Sequence, residues 1–228
     1  MAFMPQFAPF VVLAFLGAVL AGMLASAVLV YGAVRRQPAV RRWAAVALVA
    51  IPLGYAALVF GASLTSREVI LPHGGKKYFC EIDCHLAYSV ERVTREKTIG
   101  TPPRDARATG EFHVISLKTW FDESTISTMR PKEAPLYPNP RQVYIVDSSG
   151  RRYNPSEAGQ RALEETGVKS TPLSRPLIPG ESYVTALVFD LPSDIREPRL
   201  YVGDADPVSS ILIGHEESPL HRKIWFRI

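Results

Sequence analysis

The sequence predicts a protein of two parts, an apolar helical hairpin followed by an all-β domain. Two long uncharged runs come before residue 67, and all 22 acidic residues come after residue 66. The second part is rich in proline, which argues against long helices there. It also contains several runs in which apolar and polar residues alternate, the period typical of β-strands.

The first part has the length and composition of a membrane anchor. Residues 1 to 34 carry no charged side chain, and about 20 apolar residues are enough to cross a hydrocarbon core of roughly 30 Å. A second uncharged run covers residues 43 to 66 and contains Pro52 and Gly54, which a paired helix tolerates. We therefore predict a transmembrane hairpin over residues 1–66, with helices at about 8–34 and 43–65 and a loop at 35–42. A cleaved signal peptide is the alternative for the first run, but the usual positive segment before it is missing.

The net charge of +4 predicts the orientation of this hairpin. It comes from four arginines in the predicted loop, Arg35, Arg36, Arg41 and Arg42, and the rest of the chain is neutral. Short positively charged loops stay in the cytoplasm. The sequence thus predicts a two-span protein of the cell inner membrane, with the N-terminus and residues 67–228 outside the cytoplasm. The bilayer is its first expected partner, and a neutral exported domain excludes a nucleic-acid binder.

Residues 67–228 are predicted to form one exported β domain of about seven strands. The clearest strand runs from residue 78 to residue 90, where Tyr78, Leu86, Tyr88 and Val90 share one face with both cysteines. The other predicted strands cover residues 111–121, 142–147, 182–190, 199–202, 211–214 and 222–228.

Turn residues punctuate these strands. Asp147-Ser-Ser-Gly150 predicts a tight turn that returns to a short edge strand, and Pro179-Gly180 predicts another turn. Pro155 and Gly167 frame a short helix at about residues 158–166. About seven antiparallel strands with one small helix are typical of an immunoglobulin-like sandwich.

The same order of turns and strands resembles that of a known group of domains. The segments Asp147–Tyr153, Leu177–Glu181 and Ala186–Pro192 are similar to those of bacterial membrane-anchored immunoglobulin-like domains of unknown function. The resemblance covers residues 85 to 228. It implies a sandwich fold and no catalytic residue.

Cys80-Glu-Ile-Asp-Cys84-His85 is the most distinctive segment. In a regular strand the two cysteines would lie about 13 Å apart, too far for a disulfide. A turn or bulge would let them meet. Three interpretations stay open: a short disulfide, two small core residues, or a metal or redox site.

A metal site is the alternative interpretation of the exported domain. His215 and His221 could join Cys80, Cys84 and His85 around copper or zinc if Pro219 folds their segment back. Two spans followed by a Cys-x-x-x-Cys β domain also resemble the copper subunit of respiratory oxidases in outline. In that family, however, the cysteine pair sits late in the chain, after one histidine and before another histidine and a methionine. Here the pair is early, His85 follows it at once, and the only methionine outside the anchor is Met129.

The sequence contains none of the common catalytic motifs, such as Gly-x-Ser-x-Gly or a phosphate-binding loop. We therefore expect no enzymatic activity and no cofactor. The main hypothesis is an interaction or accessory module of a membrane or envelope complex that contacts a protein partner through edge strands and the proline-rich segment 129–141. Trp120 and Trp225 fit the sandwich core or an edge strand, with an aromatic ligand platform as the alternative.

Overall fold

The computed structural model describes residues 8–79, 86–126 and 130–228. Within them the chain forms two compact units. One contains Glu68–Asp206 and Lys223–Ile228, and the other contains the chain up to Arg67 together with Pro207–Arg222. We call them the β unit and the hairpin unit.

The hairpin unit is built on two long helices, α1 (Ala8–Val34) and α2 (Pro38–Leu64). Both are long and apolar enough to cross a membrane. The connection between them is shorter than predicted, because Pro38 occupies the first turn of α2, where its missing N–H costs nothing. Arg41 and Arg42 therefore belong to α2 and not to a loop. Ser26 and Ser63 turn their hydroxyls back onto carbonyls of their own helices, at 2.8 Å in both cases.

The β unit contains two sheets. The described residues form nine strands, more than the seven predicted: β1 (Val69–Leu71), β2 (Lys77–Phe79), β3 (Leu86–Ile99), β4 (Ala106–Phe121), β5 (Arg141–Val146), β6 (Arg152–Tyr153), β7 (Ser182–Leu191), β8 (Arg199–Asp204) and β9 (Ile224–Arg227). One sheet has the order β1-β9-β8-β5-β6 and the other β2-β3-β4-β7. All neighbouring pairs are antiparallel except β1 with β9.

The core lies between the two sheets. Alternate residues of β4, namely Ile115, Leu117 and Phe121, pack there with Leu200 and Phe226 of the five-stranded sheet. All five side chains are fully buried. We call the face of each sheet that points into this core its inner face, and the opposite face its outer face. The predicted two-sheet β architecture is confirmed at this level.

The two described ends of the segment 78–90, predicted as one strand, belong to two different strands. β2 and β3 pair antiparallel, with Phe79 opposite Leu86, so the chain reverses direction between them. As a consequence Lys77 and Phe79 are buried and Tyr78 belongs to the other face, although Leu86, Tyr88 and Val90 are buried as predicted.

The predicted strand at 211–214 is also absent from the structure. A 3-10 helix covers Pro207–Ile211, and His215 N–H then donates to the carbonyl of Leu212 at 3.2 Å. Gly214 adopts a positive φ of 72°, which an extended strand does not permit. This part of the chain forms successive turns.

Two local predictions agree with the structure. The third helix, α3, covers Glu157–Glu165 and begins at Ser156, whose hydroxyl accepts the N–H of Gly159 at 3.2 Å. The Asp147 carboxylate organises the turn between β5 and β6 by accepting hydrogen bonds from the backbone N–H groups of Ser149 and Arg151. Together with the Ser149 hydroxyl, these bonds lower the pKa of Asp147 to about 2, against a smaller opposing effect of burial.

Candidate ligand-binding cleft

The outer face of the four-stranded sheet is divided into a covered half and an open half. Helix α3 packs over one half, where Phe112 of β4 and Val188 of β7 meet Ala162 and Leu163 of the helix. The approach is close, because a Cβ atom on Gly159 would come within 2.6 Å of Val188 Cγ1. The covered half is therefore a dry, tightly packed contact.

The open half holds a cleft of about 530 Å³. Its lining combines one aromatic ring with small, hydroxyl-bearing and charged residues: Gly74, Lys76, Ser89, Glu91, Lys118, Trp120, Gly180 and Ser182. A volume of this size suits a small molecule or a short chain segment.

The register of three strands assembles the floor of the cleft. Trp120 of β4 lies opposite Ala87 of β3 on one side and Ser182 of β7 on the other. Lys118, two residues earlier on the same face, lies opposite Ser89. Directly opposed residues in antiparallel strands have Cβ atoms about 5 Å apart, so these side chains form one continuous surface.

A β-bulge places the acidic residue of the cleft. The register between β3 and β4 shifts between Val90 and Arg92, so that Glu91 is the extra residue. Its carboxylate lies 3.4 Å from the ammonium of Lys118, and both side chains are about 40% exposed, at 43% and 38%. The ion pair is thus open to solvent and to a ligand.

Lys76 forms one wall of the cleft. The preceding turn is fixed by hydrogen bonds from Gly75 N–H to the Pro72 carbonyl at 2.9 Å and from Gly74 N–H to the Val90 carbonyl at 3.0 Å. The Lys76 ammonium lies 3.7 Å from the centre of the Trp120 ring, a cation–π contact at an exposed site.

The next residue, Lys77, holds β2 from the inner face. Its ammonium is buried and donates to the carbonyl of Val202 at 2.5 Å, 4.5 Å from the centre of the Tyr201 ring. Lys77 thereby links the edge strand of one sheet to β8 of the other. Since Lys76 is adjacent, this anchor also positions the wall of the cleft.

Tyr78 and Asp122 form a second hydrogen-bonded group beside Lys76. The Tyr78 hydroxyl donates to the Asp122 carboxylate at 2.8 Å, and Ser124 donates to its other oxygen through its hydroxyl and its N–H. Partial burial and the carboxylate raise the pKa of Tyr78 to about 12. Burial also tends to raise the pKa of Asp122, but the hydrogen bonds and the nearby Lys76 ammonium outweigh it, so this pKa is lowered. Asp122 is a satisfied carboxylate at neutral pH.

The lining of the cleft combines an aromatic ring with hydroxyl and charged groups. Its lining offers an indole ring, two hydroxyls and two ammonium groups against one carboxylate, a formal excess of one positive charge. Such a surface accepts an apolar group against the ring and an anionic group beside the lysines.

Of the site residues predicted from the sequence, the structure describes only His215 and His221, and neither lines the cleft. Cys80, Cys84 and His85 lie outside the described residues, so their disulfide and metal interpretations stay predictions. His215 and His221 lie on the turns of Pro207–Arg222; His215 Nδ1 accepts the N–H of Glu217 at 3.1 Å, and His221 Nδ1 lies 2.8 Å from the Arg222 carbonyl. Within the described ranges no group of three or more His, Cys, Asp or Glu could hold a metal ion.

Reasoning from the sequence missed most of the cleft. Of the cleft residues, only Trp120 was noted from the sequence, as an alternative aromatic platform. Lys76, Glu91, Lys118 and Ser182 were not predicted as site residues. The available signal was the alternation along β4, which puts Lys118 and Trp120 on the face opposite Leu117 and Phe121.

Comparison with known proteins yields structural likeness at low identity. No family model and no curated protein matches this sequence. Solved structures that resemble the chain include a conserved hypothetical protein from Bacillus anthracis, which is 18% identical with a TM-score of 0.40 and covers 55% of this chain and 86% of its own. The yjhA protein from Bacillus subtilis is 13% identical with a TM-score of 0.41, over 69% of this chain and 98% of its own. The secreted protein MPT63 from Mycobacterium tuberculosis is 10% identical with a TM-score of 0.41, over 72% of this chain and all of its own, 100%.

Proposed function

We propose that this protein is a membrane-anchored interaction module of the cell envelope. In this proposal α1 and α2 cross the inner membrane, the N-terminus and residues 67–228 are exported, and an immunoglobulin-like sandwich presents the Trp120 cleft to a protein partner. The apolar length of both helices and the arginines at their connection support the anchor.

The observation that carries the binding role is the uncovered half of the outer face. An apolar-polar cleft left open beside a helix-covered half of the same sheet is a concave surface with convergent polar groups, the usual form of a binding site. Its excess positive charge favours a partner segment with a carboxylate next to an apolar side chain. The carboxylate would meet Lys76 or Lys118, and the apolar group would meet the Trp120 ring.

Several sheet edges offer little for strand addition, although β2 pairs with only Leu86–Tyr88 of the 14-residue β3. Edge strands β1, β2 and β6 have only three, three and two residues. The long edge strand β7 is partly occupied: the N–H of Thr171 donates to the Val184 carbonyl at 3.1 Å and that of Ser156 to the Val188 carbonyl at 2.7 Å. The proline-rich segment is tied by two hydrogen bonds between Leu136 and Leu177. The cleft is thus more accessible than the edge of β7 or the proline-rich segment.

A size measurement in mild detergent tests the binding role. We expect the full-length protein, extracted from its native membrane, to elute in a complex larger than the protein alone. Trp120→Ala should reduce the complex, since it removes the ring that forms the floor of the cleft. Tyr137→Ala is the matched control, because Tyr137 is an exposed aromatic residue elsewhere on the β unit, at 69% exposure. A strictly monomeric protein, or equal loss in both variants, would contradict the proposal.

A reporter fusion tests the anchor separately. An enzyme that folds only in the periplasm, fused after Ile228, should be active, and one fused at Gln37 between the two helices should be inactive. The reverse pattern would contradict the orientation, and activity at both positions would contradict two spans.

A further inference from the structure

A segment from the second half of the chain packs in the hairpin unit. Pro207–Arg222 lies between β8 and β9 in sequence, yet it clusters with α1 and α2. The Tyr55 hydroxyl in α2 donates to the carbonyl of Ile211 at 3.0 Å, and the N–H of Arg222 donates to the Ser66 hydroxyl at 2.8 Å. The start of the segment is therefore level with the interior of α2, and its end is level with the C-terminus of that helix.

Helix geometry gives the depth at which the segment is attached, if α2 spans a membrane. Tyr55 precedes the last residue of α2, Leu64, by nine positions, which is about 13 Å at 1.5 Å per residue. The whole helix is about 40 Å long, so a centred helix extends about 5 Å beyond each side of a hydrocarbon core of about 30 Å. The Tyr55 position then lies about 8 Å inside the outer boundary of the core. The ring of Tyr55 also packs near that of Phe15 in the first turns of α1, at 6.0 Å between centres.

The side chains of the segment change in polarity along this depth. Val208 and Ile211 belong to the 3-10 helix whose Ile211 carbonyl Tyr55 holds, and both are apolar and exposed, at 49% and 44%. Asp206 directly precedes this helix, and the charged residues within the segment come later, as the chain approaches Ser66: Glu216, Glu217 and Arg222, beside the exposed Leu220. An apolar end below a charged end is the arrangement expected of a segment that enters a membrane interface.

The irregular backbone satisfies its own carbonyls, as non-helical structure at membrane depth must. The carbonyl of Pro207 accepts the Ser210 hydroxyl at 2.6 Å, and that of Ser209 accepts the N–H of Leu212 at 3.3 Å. Tyr55 satisfies the carbonyl of Ile211, and the Ser218 hydroxyl reaches the carbonyl of Leu212 at 2.6 Å. These four carbonyls are thus paired, while the side chains of Val208 and Ile211 stay exposed.

We propose that Pro207–Leu212 is immersed in the outer leaflet of the bilayer, where Val208 and Ile211 contact lipid acyl chains. Tyr55 is the positioning residue that holds the segment against α2. The inference rests on the proposed membrane anchor. It gives the exported chain a lipid contact besides the two spans.

Photo-crosslinking of the full-length protein in phosphatidylethanolamine–phosphatidylglycerol vesicles tests this. Benzoylphenylalanine is placed at Val208 or Ile211, and lipid adducts are measured by mass spectrometry. The matched controls are Val168 and Ile178 of the β unit, with exposures of 46% and 41%. Leu58 on α2, 59% exposed, reports on the anchor itself. We expect adduct yields at Val208 and Ile211 close to that at Leu58 and about tenfold above those at Val168 and Ile178.

The outcomes separate this inference from the anchor on which it rests. Adducts at Leu58 with background yields at Val208 and Ile211 would overturn the inference and leave the anchor intact. Background yield at Leu58 as well would contradict the anchor. A second variant, Tyr55→Phe, removes only the hydroxyl; it should lower the yield at Ile211 by about threefold and leave Leu58 unchanged. An unchanged Ile211 yield would contradict the positioning role of Tyr55.

Discussion

The two halves of the outer face of the four-stranded sheet are supplied by the same strands but differ in their exposure to solvent. Strand β4 contributes Phe112 to the contact under α3 and Trp120 to the open cleft. Phe112 is 1% exposed, whereas Trp120 is only partly buried and stacks with a lysine. The comparison teaches that an aromatic residue on this face is buried where α3 covers it and reachable from solvent where the helix does not cover it.

The largest expected difference is between these two aromatic residues. Phe112→Ala should lower the free energy of unfolding by about 3–5 kcal/mol, because it leaves a cavity under α3. Trp120→Ala should lower it by about 1 kcal/mol or less, since the ring faces the cleft. Chemical denaturation of both variants measures the two values. Similar losses would show that the open half is structural as well.

Adjacent lysines at the start of β2, Lys76 outside the strand and Lys77 within it, sharpen the comparison. Lys77→Met should cost about 1–3 kcal/mol of unfolding free energy, since the Val202 carbonyl loses its buried donor. Lys76→Met should change stability by about 0.5 kcal/mol or less, because its ammonium is exposed. Denaturation of the pair is the measurement, and a larger loss in Lys76→Met would contradict this expectation.

His113 extends the comparison to the inner face of β4, where acid should weaken the fold. Its side chain is 1% exposed, and burial together with the nearby Arg95 lowers its pKa, against a smaller opposing effect of Glu111. As the pH falls below about 6.5, the unfolded chain takes up a proton before the folded protein does. The free energy of unfolding should thus fall as the pH is lowered from about 6.5 to the lower pKa that His113 has in the folded state.

Denaturation midpoints at neutral and mildly acidic pH measure this effect. His113→Gln should reduce the pH dependence relative to the unaltered protein, since the variant lacks the titrating ring. An identical pH dependence in both proteins would contradict a buried neutral His113.

The smallest effect is expected at the ion pair in the cleft. Glu91→Gln should change stability by about 0.5 kcal/mol or less, because the pair with Lys118 is solvent-exposed. The same change releases Lys118 and should strengthen binding of an acidic partner, which titration of the purified complex would show. Weaker binding would indicate that the partner contacts Glu91 directly.

Local chemistry made much of the fold predictable. Uncharged runs of spanning length revealed both helices, and Pro38 explains why the second begins before its predicted start. Asp147 with Gly150 identified the turn between β5 and β6. The predicted strand at 211–214 is wrong because Pro207–Ile211 forms a 3-10 helix and Gly214 has a positive φ, which a short apolar run does not reveal.

The cleft could not be predicted because it depends on pairing between distant strands. Nothing local brings Lys76, Trp120 and Ser182 together; the register of β4 with β3 and β7 does so, and the bulge at Glu91 completes it. The reversal between β2 and β3 was hidden by an unbroken alternation through residues 78 to 90. A single sequence shows which residues share a face of one strand, and the sheet decides which strands are neighbours.

Site-specific crosslinking from the open half tests the central claim most directly. Benzoylphenylalanine at Ser182, on the rim of the cleft, and at the exposed control position Tyr137 is irradiated in native membranes, and adducts are resolved by mass. We expect a discrete protein adduct at Ser182 that Trp120→Ala abolishes, and none at Tyr137. No adduct at Ser182, or one that persists in Trp120→Ala, would contradict the account.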